Sequence, residues 1–581
     1  MTTSLLVVVG TIIYLAAYFI YGRSLAKKVV GADDKRITPA HSKGDGIDFV
    51  PAHPAVLFGH HFASVAGAAP ILGPVMAMAW GWWAGLLWIW LGNIIIGAVH
   101  DYLSLMASVR YEGKSIQWIA GKMMKKRTSY MFQVFAYFSL VLALAAFSTS
   151  LANLFIANPQ VASASMWFVL ASVITGFLLY RMKINFTLGT VIGLALTGLS
   201  IWLGILTPLQ LSHQGWMIIF FLYMMVASAL PVWILLQPRD YLNSYILYIG
   251  MIGGLIGLLI AGSKMQMVGF SSWSAVVVGG VPSPFWPVVP LVIACGSVSG
   301  IHALIGSGTT SKQLDKETQG LIVGFGGMLT EGLLSTIVTI MIGAFGLIVL
   351  KDAAGKLAEM GIIADRLGEP VYFGGNYLRA TNAVGGPLGI FTQSYGWALN
   401  KAFGIATDVG AVFASLWVSA FVLTSMDTGA RVVRFAWEEV LEPLQESMRS
   451  LHSVLTNRWV GSALAAGISI ALAWGGAYNV LWPAFGGANQ MLAAVTLLTA
   501  ALWVRKTLKV TDKKYIWAVV APAVFLWFTV LVSLVWYLVA VPSSIMVQAF
   551  TVLEIVLVLI LMYDYYQATR QTTPIGLGTG I

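Results

Sequence analysis

What is scarce in this sequence limits it more than what is abundant. It has a single cysteine, Cys295, so no internal disulfide can form and cysteine usage says nothing about redox compartment. Charged residues make up only 10% of the 581 positions, against roughly 25% in soluble proteins. A water-soluble surface needs more charge than that. The scarcity excludes a soluble enzyme, a nucleic-acid binder and a disordered chain. There is no HExxH metal motif and no long polar domain on which a membrane enzyme would be built. What is present is a 58% hydrophobic composition, which points to an all-α polytopic membrane protein.

About 20 mostly apolar residues are needed to cross the hydrocarbon core. Fifteen stretches qualify: 3–22, 57–79, 82–108, 129–152, 164–180, 184–206, 215–236, 241–262, 287–309, 320–350, 407–428, 459–476, 486–504, 515–540 and 545–563. The first has no cationic region before it, and Arg23, Lys27 and Lys28 follow it. That predicts an uncleaved anchor with the N-terminus outside. On this topology 27 of the 33 Lys and Arg residues fall in cytoplasmic segments, as positive-inside orientation requires, and the C-terminus is cytoplasmic. The net charge of +10 is thereby explained without nucleic acid. The basic run 121–127, GKMMKKR, is expected at the anionic lipid surface.

No Lys or Arg falls well inside these spans. The ionisable groups that do are Asp101, Glu331, Asp427, Glu554, His60, His61, His100 and His302. Such groups are costly in lipid and mark candidate functional sites.

Two spans carry helix breakers. Residues 59–75, GHHFASVAGAAPILGPV, place Gly67, Pro70, Gly73 and Pro74 mid-span. Residues 226–238, VASALPVWILLQP, carry Pro231 and Pro238. The two spans run in opposite senses and each opens a set of five, 57–206 and 215–428. Paired interrupted helices in inverted halves are the mark of a secondary transporter. The predicted organisation is an anchor and loop (1–56), two inverted five-helix repeats (57–206 and 215–428), a cytoplasmic loop (429–458) and peripheral helices with a tail (459–581). The breaks free N–H groups that can hold an anion and carbonyls that can hold a cation.

Six stretches carry a family resemblance: 59–75, GAVHDYLSL (97–105), PVWILLQPRDYLNSYIL (231–247), ACGSVSGIHALIGSGTTSKQ (294–313), TSMDTGARVVR (424–434) and WPAFGGANQMLAA (482–494). Across most of residues 50–500 the chain resembles the carbon starvation protein A (CstA) family of bacterial inner-membrane transporters. The resemblance implies a multi-pass cytoplasmic-membrane transporter of nutrient limitation, with pyruvate or peptides as substrate and a five-plus-five (LeuT/APC-like) inverted-repeat core. It also implies that span 287–309 faces the first interrupted helix and offers hydroxyls to a coupling cation.

The substrate, a small carboxylate such as pyruvate, is expected between the two breaks. His61, Ser64, Gly67, Ala68, Ala69, Pro70, Ser228, Trp233 and Gln237 line that region. Histidine as a residue type titrates near neutrality, so His61 is a candidate to hold a carboxylate or relay a proton. Adjacent helical positions do not share a face, so His60 and His61 make a poor two-histidine metal site, although either can join ligands from other helices. No resident metal or cofactor is expected. Coupling to H+ or Na+ is assigned to Asp101, Ser299, His302 and Glu331, of which Ser299 and His302 share a face. Asp427, followed by Arg431 and Arg434, reads as an ion pair at a helix end, and Asn489 and Gln490 as interhelical hydrogen bonds. Short peptides or amino acids are the alternative substrates, and a membrane nutrient sensor is the alternative class. The segments 263–286 and 351–406 are expected as outer lids. Oligomeric state is not legible.

Overall fold

The computed structural model describes residues 1–67, 69–475, 478–542 and 545–571. Within them the chain is predominantly helical. Eleven helices are long and apolar enough to cross a membrane, and a twelfth span is formed by Pro54–Ala66 and Ala69–Trp80, bent by 44°. Two expected spans are shorter, as His213–Ala229 and Arg458–Ala473.

The first break falls at Gly67, whose φ of 52° and ψ of −152° are open to glycine and strained for other residues. A Cβ there would lie 3.0 Å from the Ser425 hydroxyl oxygen. That hydroxyl donates to the Ser64 carbonyl (3.1 Å), one of the acceptors a helix end leaves free. Beyond the break, Ser335 donates to the Pro70 carbonyl (2.9 Å). The half-helix Pro54–Ala66 packs on Leu236–Ala261 and Thr407–Val440, and Ala69–Ala77 packs on Gly327–Asp352.

The second break differs from expectation. Helix His213–Ala229 ends before Pro231, which has no N–H to continue it, and Leu236–Ala261 starts afresh. The proline run thus separates two helices rather than dividing one. The divided segment lies in the expected span 287–309, which is three short helices: Phe285–Val292, Ala294–Ser297 and Gly300–Gly308. Ser299 between the last two is extended, at φ −141° and ψ 131°.

Tyr478–Lys506, expected at the periphery, packs on Lys126–Ala157 and Gly300–Gly308. The apolar window of Phe485–Lys506 is 100% buried. Its small residues, Ala488, Ala493, Ala494, Ala500 and Ala501, allow that close approach.

The expected lids are only partly loops. Residues 263–284 hold a two-stranded hairpin, Ser274–Val276 with Pro282–Pro284. Gly386–Phe403 is a helix packed on Gly327–Asp352, Leu236–Ala261 and Thr407–Val440, and Tyr395 donates from it to the Gly250 carbonyl (2.8 Å).

At the end assigned to the cytoplasm, residues 31–53 clasp the segment after Gly308. Glu317 accepts from Arg110 (2.6 and 3.0 Å), Arg36 (3.2 Å) and the Asp33 amide (2.9 Å). Asp48 pairs with Arg431 and with Arg434 (3.2 Å). Burial pushes the Asp48 carboxyl up, but Arg431, Arg434 and Lys312 overcome it and hold it below its ordinary value. Burial pulls the Lys312 amine down to about 8, with Asp48 and Glu439 opposing.

Candidate functional site

The neighbours His60 and His61 point into two different polar clusters, as their 100° separation on a helix dictates. Both are buried.

His60 enters the first cluster. Its Nδ1–H donates to Asp240 (2.5 Å), whose other oxygen accepts from the Arg239 guanidinium (2.5 and 3.1 Å). Arg239 also binds Asp427 (3.0 Å), which accepts from the Tyr223 hydroxyl (2.8 Å). On the far side of His60, Gln237 donates to Gln313 (2.8 Å), and the Gln313 amide faces His60 Nε2 (3.4 Å). Counting spans placed Arg239 in a loop and paired Asp427 with Arg431 or Arg434. Instead Arg239 lies in the first turn of Leu236–Ala261 and is 1% exposed. Arg431 and Arg434 turn to Asp48.

His61 enters the second cluster. Its Nδ1 is 2.9 Å from the Thr310 hydroxyl, and its Nε2 has no hydrogen-bond partner. Helix Gly327–Asp352 approaches closely enough that a Cβ on Gly327 would lie 3.1 Å from the imidazole. The cluster is organised by Asp101. One carboxylate oxygen accepts from His100 Nδ1 (2.7 Å) and the other from His302 Nδ1 (2.9 Å). That fixes the His302 tautomer and leaves Nε2 as the free acceptor. Nε2 faces the Glu331 carboxylate at 3.4 Å. Neither His302 Nε2 nor either Glu331 oxygen has a hydrogen-bond partner, and both residues are buried. A lone pair facing a carboxylate is repulsive until a proton or another cation lies between them.

The unwound stretch above His302 is capped from another helix. Asn489 accepts from the Ser299 hydroxyl (3.0 Å) and the Ile301 amide (3.1 Å), and Gln490 donates to the Val298 carbonyl (3.2 Å). Asn93 adds a donor to the Gly296 carbonyl (3.1 Å). Between the clusters lies a small apolar cavity walled by Ser64, Cys295, Ile305, Ser425, Phe147 and Phe485, with about 10 Å³ of free volume, room for about one water.

Of the residues expected at the site, Asp101, His302 and Glu331 are together, with Ser299 at the adjoining break. Ser64 lines the cavity and contacts Thr428 (3.0 Å). Gly67, Ala69 and Pro70 form the break itself; Ala68 lies outside the described residues. Ser228 points elsewhere, accepting from Ser462 (3.0 Å), and half-buried Trp233 packs near Tyr180 (6.4 Å). Sequence reasoning missed the roles of Arg239, Asp240, Tyr223 and Cys295. The adjacent opposite charges of Arg239 and Asp240 straight after a helix-starting proline were the available signal for the first two.

A model of the family described as carbon starvation protein CstA matches residues 2–533. The peptide transporter CstA of Campylobacter jejuni is 32% identical over 575 residues, spanning 90% of this chain and 78% of that protein. The pyruvate/proton symporter BtsT of Escherichia coli is 31% identical over 591 residues, spanning 90% and 80%. A manganese transporter of Eremococcus coleocola aligns over 90% of this chain and 98% of its own at 11% identity, with a TM-score of 0.46, too low to assign a shared repeat.

Proposed function

The chain belongs to the carbon starvation protein CstA family, whose named relatives are membrane transporters rather than enzymes, and from that premise we propose that it takes up a small carboxylate, pyruvate foremost, together with a proton. The observation that carries the proposal is the facing of His302 Nε2 and Glu331, two unpartnered buried groups 3.4 Å apart. A proton placed between them converts repulsion into a charge-assisted hydrogen bond. Asp101 orients His302 and stabilises its charged form; His100 in turn orients Asp101.

The substrate carboxylate would enter the cavity beside Ser64 and the break at Gly67, Ala69 and Pro70, with His61 on the side of the coupling cluster. Gln237 would act through Gln313 on His60. With about 10 Å³ free, the cavity has room for about one water, so admitting substrate would require the cavity to widen during alternating access. Five-helix repeats 57–206 and 215–428, an outer N-terminus, a cytoplasmic C-terminus and a bacterial inner-membrane location complete the reading. The orientation is supported by the 27-to-6 charge asymmetry; the repeats rest on the family resemblance, because the divided segment of the second set is its third span and not its first. A proton is preferred to sodium because unpartnered imidazole and carboxylate, rather than a shell of hydroxyls and carbonyls, face one another.

Peptides are the second reading, favoured by relatives named peptide transporter. The Glu331 carboxylate would then meet the peptide amine. Uptake of labelled pyruvate and of a labelled dipeptide into proteoliposomes, under an imposed proton or sodium gradient, tests both. Proton-driven pyruvate accumulation is expected. Pyruvate uptake indifferent to both gradients would overturn the coupling.

A further inference from the structure

The coupling cluster has one more neighbour that proton transfer does not use. Cys295, the sole cysteine, is buried on the short helix Ala294–Ser297. Its sulfur, one His302 ring nitrogen and one Glu331 oxygen lie within 4.8 Å of one another. Thiolate, imidazole and carboxylate are the three donor types that tetrahedral zinc takes from proteins, at about 2.3, 2.0 and 2.0–2.2 Å, so the donors need to be about 3.3–3.8 Å apart. The His302–Glu331 pair is already at 3.4 Å, and only the sulfur has to close in. The free atoms are the correct ones: His302 Nε2 and both Glu331 oxygens are buried without partners. Asp101 on His302 Nδ1 (2.9 Å) is the outer carboxylate that metal-binding histidines use to fix their tautomer. Cys295 also lines the small cavity.

We propose that Cys295, His302 and Glu331 form a binding site for a thiophilic divalent cation of the zinc class, occupying the place of the coupling proton. Binding releases the thiol proton to solvent and forms metal–sulfur, metal–nitrogen and metal–oxygen bonds, with no change of oxidation state. The site deepens the coupling reading of His302 and Glu331, because cation and proton then compete for the same lone pairs.

Cobalt(II) titrated into the purified full-length protein tests the site, since thiolate-bound cobalt has a charge-transfer absorption that oxygen- or nitrogen-bound cobalt lacks. With one cysteine in the chain, the absorption has one source. Wild type is expected to show it at one cobalt per chain, with displacement by zinc. Asp101→Asn, which alters the outer carboxylate on His302, is expected to keep it at about 10- to 100-fold weaker affinity, and Cys295→Ser to lose it. No thiolate absorption in the wild type, or the same absorption in Cys295→Ser, overturns the site. Zinc is also expected to inhibit proton-driven uptake. The two readings fail separately: a cobalt spectrum without pyruvate or peptide uptake overturns the transport reading alone, and proton-driven uptake without the spectrum overturns the metal site alone.

Discussion

Two clusters of buried ionisable groups sit on either side of the His60–His61 dipeptide, and they differ in how completely their atoms are paired. Around Arg239, the guanidinium, Asp240, Asp427, Tyr223, His60 and Gln313 bond one another, and only the Gln237 oxygen at the edge is left without a partner. Around Asp101, the chain of hydrogen bonds stops at His302 Nε2 and Glu331. The first contains a fixed cation; the second has two acids, histidines and no Lys or Arg. Burial alone does not separate a structural group from a working one, because both clusters are equally dry. The free lone pairs separate them. A closed network holds helices in place, whereas an open one keeps acceptors free for the proposed coupling cation.

The sharpest way to break this comparison is Arg239→Met, which leaves Asp240 and Asp427 uncompensated. A loss of about 3–5 kcal/mol is expected, read as lost folded protein and a lowered melting temperature. Normal folding with impaired transport would move Arg239 into the working set. Next, Asp101→Asn and His302→Ala are expected to reduce gradient-driven uptake by roughly 100-fold, within the range for a positioned proton-transfer group, with protein remaining in the membrane. Wild-type uptake in both variants would erase the distinction. Asn489→Ala strips partners from Ser299 and the Ile301 amide and is expected to cost about 1–3 kcal/mol, read by thermal melting.

The smallest effect belongs to Lys312, whose amine burial holds at about 8, below the ordinary 10.4 or so. Between those values the unfolded chain binds more protons, so stability rises with pH across that window and the burial penalty is fully present below it. Lys312→Met is expected to flatten that rise, measured by melting temperature at pH 7, 8, 9 and 10.

Eleven of the span positions and the Gly67–Pro70 break were legible because apolar length and clustered helix breakers are local signals, although Pro231 and Pro238 mark a boundary between helices and not a break within one. Asp101, His302 and Glu331 were legible because charge in lipid is rare. The unwinding at Ser299 was not, since serine and glycine also serve close helix packing. Arg239 was hidden by its position: a charge at the edge of an apolar stretch reads as loop until tertiary packing covers it. A single cysteine carries no pairing signal in the sequence, and only the fold brings Glu331, on Gly327–Asp352, to Cys295 and His302.

Asn489 and Gln490 give the helix Tyr478–Lys506 an importance beyond its place in the chain. Because they terminate the hydrogen bonds of the unwound Val298–Ser299 stretch, the proposed ten-helix unit is not modular. A truncation that keeps residues 57–428 would remove the groups that cap the unwound stretch beside His302. The last quarter or so of the chain, residues 429–581, therefore has to be inherited, expressed and engineered together with the rest.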